Sequence, residues 1–416
     1  MSPLISLYFQ VHQPYRLRDL RITEIGQGEP LYFDEKKNAA VFRKVAEKCY
    51  LPANRLILEL LRTYPNFAIA YSLSGTFLDQ CEEYGEDVLD SFHALAETGK
   101  VEFLAETYYH SLSCLQSLPE FCDQVCLHVR KIASLFGQTP HVFRNTELVY
   151  SNELAHIARL MGFKGILAEG AEHILQGRSP NVPYIPPHFR LPAHTERTIR
   201  TMRPLPLRAK DIGILLKNYR LSDDIAFRFS ERSWTGYPLT AEKFTEWIAA
   251  CEGHSVNLFM DYETFGEHQW ADTGIFEFLR ALPRLWQERG LEVATPSTVL
   301  HAWKKKDKEE NIFDAHHYIS WADTERDLSA WLGNRIQHAA MESLYKLEEQ
   351  VKESNDPDLL HAWRRLQASD HFYYMCTKYW NDGDVHKYFS PYDSPYEAYR
   401  RYSHALCDLR TRLPTP

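Results

Sequence analysis

Nowhere in its 416 residues does the chain hold an unbroken run of about 18 apolar residues, so no membrane-spanning helix is expected. A charged-then-apolar leader is missing too. Met1 to Phe9 passes directly into a strand-like run, and a cytoplasmic location is the expectation. No basic surplus exists to neutralise phosphates: the formal net charge is −9, which argues against nucleic acid as a partner. The eight cysteines show no CxxC pair and no framework spacing, so free thiols in a reducing compartment fit best. Short repeats and low-complexity tracts are absent, and nothing selects an oligomeric state. Aromatic residues, by contrast, are plentiful at 13%, with 24 Tyr and 9 Trp. An acidic, aromatic-rich chain suits a ligand held by stacking and hydrogen bonds, carbohydrate foremost, although cores also consume aromatics.

One stretch concentrates chemistry. Val256 to Met260 is an apolar run of buried-strand length, and it releases Asp261, Glu263, Glu267 and His268 in quick succession, with Gly266 as the turn and Trp270 beyond. A solvated acidic turn is the plain alternative. Recurrence upstream favours a site. A strand over residues 5–11 runs into His12-Gln13-Pro14, and one over 67–74 ends at Gly75. A third over 101–105 delivers Glu106 and His110, a fourth over 141–145 delivers Glu147, and a fifth over 163–168 precedes Glu169. Helical patterns over 77–96, 118–136 and 152–161 separate them. Strand, polar corner and helix recur in units of about 30 residues, the sign of parallel strands joined by crossover helices.

Past a Pro-rich run from 180 to 206, a sixth strand is expected over 212–221 and a helix over 240–251. The strand into Asp261 follows, then a helix over 276–289 and a short strand or corner at 292–296. The charge run 304–310 reads as a boundary. After it come a long amphipathic helix from Leu328 to Val351, a second over 358–378 and a third over 394–413. The architecture predicted is α/β: a barrel domain over residues 1–303 with a helical domain over 311–416 packed beside it.

In a parallel barrel the carboxyl-terminal corners share one face, so His12, Glu106, His110, Arg144, Asn145, Glu147, Asp261, Glu263 and His268 converge. Two carboxylates from different strands are the minimum for cleaving a glycosidic bond. One must be ionised to attack or stabilise the sugar cation, the other protonated to release the leaving oxygen. Arg144 suits an ionised Glu147. Asp261 and Glu263 lie two apart on a strand end and so share a face, where like charge raises a pKa as a general acid needs. Trp270 could stack on a sugar or fill the rim, while Trp234, Trp321 and Trp331 read as core. Asp370-His371 could face the barrel mouth. Asp382 to His386 reads as a turn whose acids could also touch substrate.

These blocks resemble, in order, the five motif regions of glycoside hydrolase family 57: His12-Gln13-Pro14, Glu106 to His110, Phe143 to Leu148, Met260 to His268 and Thr295-Pro296-Ser297. Ala322 to Asn334 resembles that family's helical carboxyl-terminal region. The likeness covers nearly the whole chain and is greatest to the shorter α-amylase-type members. It implies an incomplete (β/α)7 barrel with a helical domain completing the substrate cleft, retaining action on α-glucans, and no cofactor or metal. By position, Glu147 matches the nucleophile and Asp261 the general acid/base. His12, Glu106, His110, Glu263 and His268 match positions associated with substrate, and Arg144, Trp270 and Asp370 join them as binding candidates. Gln10 departs from the pattern, since some members place a histidine there.

The expected activity is cleavage of α-1,4 bonds in malto-oligosaccharides, starch or glycogen, with 4-α-glucanotransfer as the alternative. A metal-dependent carbohydrate deacetylase would want paired histidines on one element, whereas His12, His110 and His268 stand on separate corners. A catalytically idle glucan-binding protein would have no need of both Glu147 and Asp261.

Overall fold

The computed structural model describes residues 2–29, 32–206, 211–303, 311–378 and 385–414. The charge run at 304–310, with Asp382 and Asp384 of the 382–386 turn, lies outside the described residues. Seven strands carry the fold: β1 (Leu4–Val11), β2 (Ile69–Leu73), β3 (Val101–Phe103), β4 (Val142–Arg144), β5 (Gly165–Glu169), β6 (Gly213–Lys217) and β7 (Ser255–Asp261). All their pairings are parallel, in the orders β3-β2-β1-β7 and β4-β5-β6. A bridge between Ala105 and Phe143 links β3 to β4. On the other side Asn257 joins β6 to β7: its carbonyl accepts from the Asn218 N–H at 2.9 Å, and its Nδ2 donates to the Leu216 carbonyl at 2.8 Å. The result is an incomplete (β/α)7 barrel.

Alternation along each strand layers the interior. Tyr8, Ala70, Val142, Leu167, Leu215 and Phe259, one from each of six strands, and Leu104 just past β3 form a buried apolar layer. Leu300, on the helix Pro296–Ala302, plugs the amino end; a Cβ on Gly165 or Gly213 would collide with its methyl groups. Two residues toward the carboxyl end, every one of those positions turns polar: Gln10, Ser72, Glu106, Arg144, Glu169, Lys217 and Asp261. A ring of charge inside a barrel must pair internally or serve a ligand.

Several helices break where an unbroken one was expected. The 77–96 helix is two, Gly75–Tyr84 and Glu86–Ala96; at Gly85 the chain gives way to the Phe42 ring, which a Cβ there would strike. β6 ends at Lys217 because the Asn218 side chain caps a new helix, Tyr219–Ala226. Ala193–Met202 is a helix inside the Pro-rich run, where none was anticipated.

The long helix from Leu328 is three pieces, Ser329–Leu332, Arg335–Tyr345 and Glu348–Glu353, restarted by an Asn334/Gln337 capping box. The 358–378 helix is Pro357–Arg365 and Ser369–Tyr373. Between them Ala368 pairs antiparallel with Ser111, and the Ser369 N–H donates to the His110 carbonyl at 2.9 Å. Pro395–Arg412 closes the chain as expected. These helices share one core with barrel-loop residues Leu17, Leu20, Leu112 and Val149, centred on Trp331 and Trp363. No described helix is long and apolar enough to cross a membrane.

Candidate active site

Glu147 sits just past β4 in a tight turn, Thr146–Leu148, with φ of 58°. Its Oε1 lies 3.3 Å from His110 Nε2 and accepts from Ser369 Oγ at 3.3 Å; its Oε2 accepts from Trp321 Nε1 at 2.8 Å. The other imidazole nitrogen of His110 lies 2.9 Å from Glu106 Oε2. Both ring nitrogens therefore face carboxylates, which only accept, so the ring carries two protons. Burial would lower the His110 pKa, but hydrogen bonds to Glu106 and Glu147 raise it to about 9. Burial likewise opposes ionisation of Glu147, yet the His110 hydrogen bond and charge, with Arg144 and Trp321 behind them, hold its carboxyl below the usual range. Glu106 is held to about 2, against its own burial, chiefly by His110, and takes further hydrogen bonds from Ser72 and Gln10.

Above this cluster His12 stacks on His110, with ring centroids 3.9 Å apart. His12 Nε2 meets Asp370 Oδ2 at 2.9 Å and Nδ1 meets Ser74 Oγ at 2.7 Å. Burial and the neighbouring His110 charge lower the His12 pKa, against the pull of Asp370. A neutral His12 then carries its proton on Nε2, toward the Asp370 carboxylate, and accepts from Ser74. Asp370 reaches this position only because the helix breaks at Ala368.

Asp261 closes β7. Burial first, then the Glu147 charge, raise its pKa to about 6, against Arg144, Lys217 and His110. Glu263 goes to about 8 through burial and the Asp261 charge. The two acids do not share a strand face: β7 ends at Asp261, and Glu263 belongs to the turn Tyr262–Thr264, where it accepts from the Tyr50 hydroxyl. The turn is locked by Gly266, at φ of 110°, where a Cβ would collide with the Lys48 carbonyl. Among the described residues, five of the seven non-glycine residues with positive φ lie in this neighbourhood: His110, Glu147, Leu148, Asp323 and Arg326. Each costs about 1–2 kcal/mol, strain that concentrates at functional sites.

Residues 6–316 match the profile of glycosyl hydrolase family 57. The chain belongs to that family. Along 98% of its length it is 44% identical to a Methanocaldococcus jannaschii protein named "Putative alpha-amylase", covering 84% of that protein. Among solved structures, a GH57-type branching enzyme from Pyrococcus horikoshii superposes with a TM-score of 0.64 at 16% identity, over 90% of this chain and 86% of that one. An alpha-amylase from Thermotoga maritima gives 0.58 at 13% identity, over 99% and 93%. The 4-alpha-glucanotransferase of Thermococcus litoralis gives 0.60 at 16% identity, over 89% of this chain and 56% of that longer one. These distant likenesses establish the fold, and the family makes the protein a glycoside hydrolase.

Within this family 57 enzyme the expected residues divide into a cluster and a rim. Glu147, His110 and Glu106 form one hydrogen-bonded chain, and the hydrogen-bonded pair His12 and Asp370 joins it by the stacking of His12 on His110. Arg144, fully buried, stands 4.0 Å from Glu106 and 4.9 Å from the Trp321 ring. His268 and Trp270 take no part in the cluster. His268 packs edge-on to Phe389 at 5.5 Å, and Trp270 is 60% exposed under the Lys48 ammonium. Separate corners did not keep the first two histidines apart, and every ring nitrogen of His12 and His110 has a hydrogen-bond partner. No group of three or more metal-ligand side chains occurs among the described residues.

Sequence reasoning missed five members, among them Ser369, whose hydroxyl donates to Glu147. Trp321, read as core, donates to Glu147. Lys217 and Glu169 complete the polar ring: Lys217 Nζ donates to Asp223 at 2.9 Å, lies 3.7 Å from Glu169 and sits 5.4 Å from the Trp321 ring. Arg326 bridges Glu169 and Asp223 at 3.5 and 3.7 Å and donates to the Trp321 carbonyl. A charged residue ending an otherwise apolar strand was the available signal.

Proposed function

We propose that the enzyme cleaves α-1,4-glucosidic bonds of malto-oligosaccharides, starch or glycogen with retention, Glu147 acting as nucleophile and Asp261 as general acid/base. The observation that supports this most is the opposed ionisation of the pair. Glu147 is stabilised as a carboxylate by His110, Trp321 and Ser369, while Asp261, half-buried near that charge, has its pKa lifted to about 6. An ionised attacker beside a protonated donor is what the first step needs. Glu147 attacks the anomeric carbon as Asp261 protonates the leaving oxygen, giving a glucosyl-enzyme. Asp261, now ionised, takes a proton from the acceptor, which displaces Glu147. Water as acceptor gives hydrolysis; a sugar hydroxyl gives 4-α-glucanotransfer. Residues 311–416 act as a helical domain that completes the cleft, through Trp321, Ser369 and Asp370. His12, Glu106, His110, Arg144, Glu263 and Asp370 shape the substrate site around the pair.

The test is incubation of wild type, Glu147→Gln and Asp261→Asn with maltoheptaose, resolving products by length and reading the first-formed anomer by NMR. Shorter α-anomers from wild type and none from either variant fit a retaining hydrolase. Products both shorter and longer than substrate make it a transferase using the same pair. Activity surviving Glu147→Gln, or β-anomers appearing first, sinks the mechanism.

A further inference from the structure

The segment carrying Asp261 leads outward from the catalytic centre. Glu263 is 8% exposed, and a short way along the same segment Trp270 is 60% exposed. The His268 N–H donates to the Glu263 carbonyl at 2.9 Å, so the outer part of the segment is tied to the inner. A helix from the far end of the chain, Val385–Phe389, meets it there. The His268 ring stands edge-on to Phe389 at 5.5 Å and to Tyr388 at 6.4 Å, and these last two rings are 5.0 Å apart. Tyr388 is 64% exposed and Phe389 39%. Three large rings thus face solvent within one loop's reach of the general acid/base candidate.

We infer that Trp270, Tyr388 and Phe389 form an outer glucan subsite, a stacking platform for glucose units remote from the scissile bond. This rests on the α-glucan reading above. The rim's chemistry selects such an occupant. All three exposed side chains are aromatic, and flat rings match the C–H faces of a pyranose. Hydrogen-bonding groups flank them. Glu267 pairs with Lys44 at 2.5 Å and Lys48 at 3.5 Å, and Lys48 also covers the Trp270 ring at 5.3 Å. Glu267 balances one of these two charges, and the solvent-facing surface beside them is aromatic, which suits a neutral polyhydroxyl ligand. The platform draws on two parts of the chain that meet where His268 packs on Tyr388 and Phe389, so a bound glucan would bridge them.

The test compares full-length wild type with Trp270→Ala and Tyr388→Ala on maltotriose and on long-chain amylose. The readout is the ratio of kcat/KM on the long substrate to that on the short one. Both variants are expected to lower this ratio about five- to ten-fold, the loss of one stacking anchor. A ratio equal to wild type, or an equal fall on both substrates, overturns the subsite. Dimerisation by wild type that Tyr388→Ala abolishes, with the ratio unchanged, also overturns it and makes the rim an interface between copies. If wild type acts on no malto-oligosaccharide, the glucan reading has failed first, and native electrophoresis through glycogen-containing gels reads the rim alone. Retardation of wild type that both variants lose keeps the rim as a glucan platform; no retardation overturns it as well.

Discussion

Trp321→Phe isolates one hydrogen bond in the site. The phenyl ring keeps an aromatic wall toward Arg144 and Lys217, now 4.9 and 5.4 Å from the indole, but deletes the Nε1–H that reaches Glu147 Oε2 at 2.8 Å. A hydrogen bond to an ionised group contributes about 1.5–3 kcal/mol. With about 1.36 kcal/mol per pKa unit, losing it should raise the Glu147 pKa by about one to two units. In the proposed mechanism kcat/KM rises with pH as Glu147 ionises and falls as Asp261 ionises near 6. The substitution therefore moves the acid limb upward toward a fixed alkaline limb, and the bell becomes narrower and lower. The assay is kcat/KM against pH for both proteins on one malto-oligosaccharide. An acid limb within about 0.3 units of wild type would refute the donor's role. So would movement of the alkaline limb alone, which would assign the two limbs the other way round.

Other consequences follow from the buried charges. His110 titrates near 9 when folded against about 6.5 when unfolded, so its stabilisation is complete below about pH 6.5 and is lost as the pH climbs through about 9. Melting curves should show wild-type Tm falling over that window and His110→Gln falling less steeply; parallel curves would mean the imidazole is not charged. Lys217→Met leaves Glu169 and Asp223 with Arg326 alone bridging them, and urea unfolding should register a loss smaller than the about 3–5 kcal/mol of a buried pair broken outright. Adding Glu169→Gln should restore part of it. Strictly additive losses would show that the two side chains do not interact.

The strands were legible because a barrel strand, buried on both faces, reads as an unbroken apolar run that stops at a polar corner. That pattern alone locates Glu106, Glu147 and Asp261 at the carboxyl ends of apolar runs. The carboxyl-terminal helices were less legible. Periodicity reports which face is apolar but carries no signal for a break that keeps the same face inward. Pro357–Arg365 and Ser369–Tyr373 both bury one side, and between them the chain makes an isolated bridge to the distant Ser111. Trp321 misled for a related reason. An indole's apolar body suits a core, and only its partner across the chain, Glu147, reveals the N–H at work. Glu169 and Lys217 were visible as charges after apolar runs, but their pairing depends on the register of β5 with β6.

Two of the three donors to Glu147 lie beyond residue 311, and the ring stacked on His110 is itself held by Asp370. The seven strands and Glu147 are therefore not a detachable module. A proteolytic fragment ending before Trp321 would keep every strand of the barrel yet leave Glu147 with one partner, His110, whose opposite face had lost its support. Exchange of carboxyl-terminal regions between related enzymes would meet the same obstacle. A graft must bring an indole and a serine hydroxyl to the same two oxygens, or it delivers a folded barrel with a mistuned carboxylate.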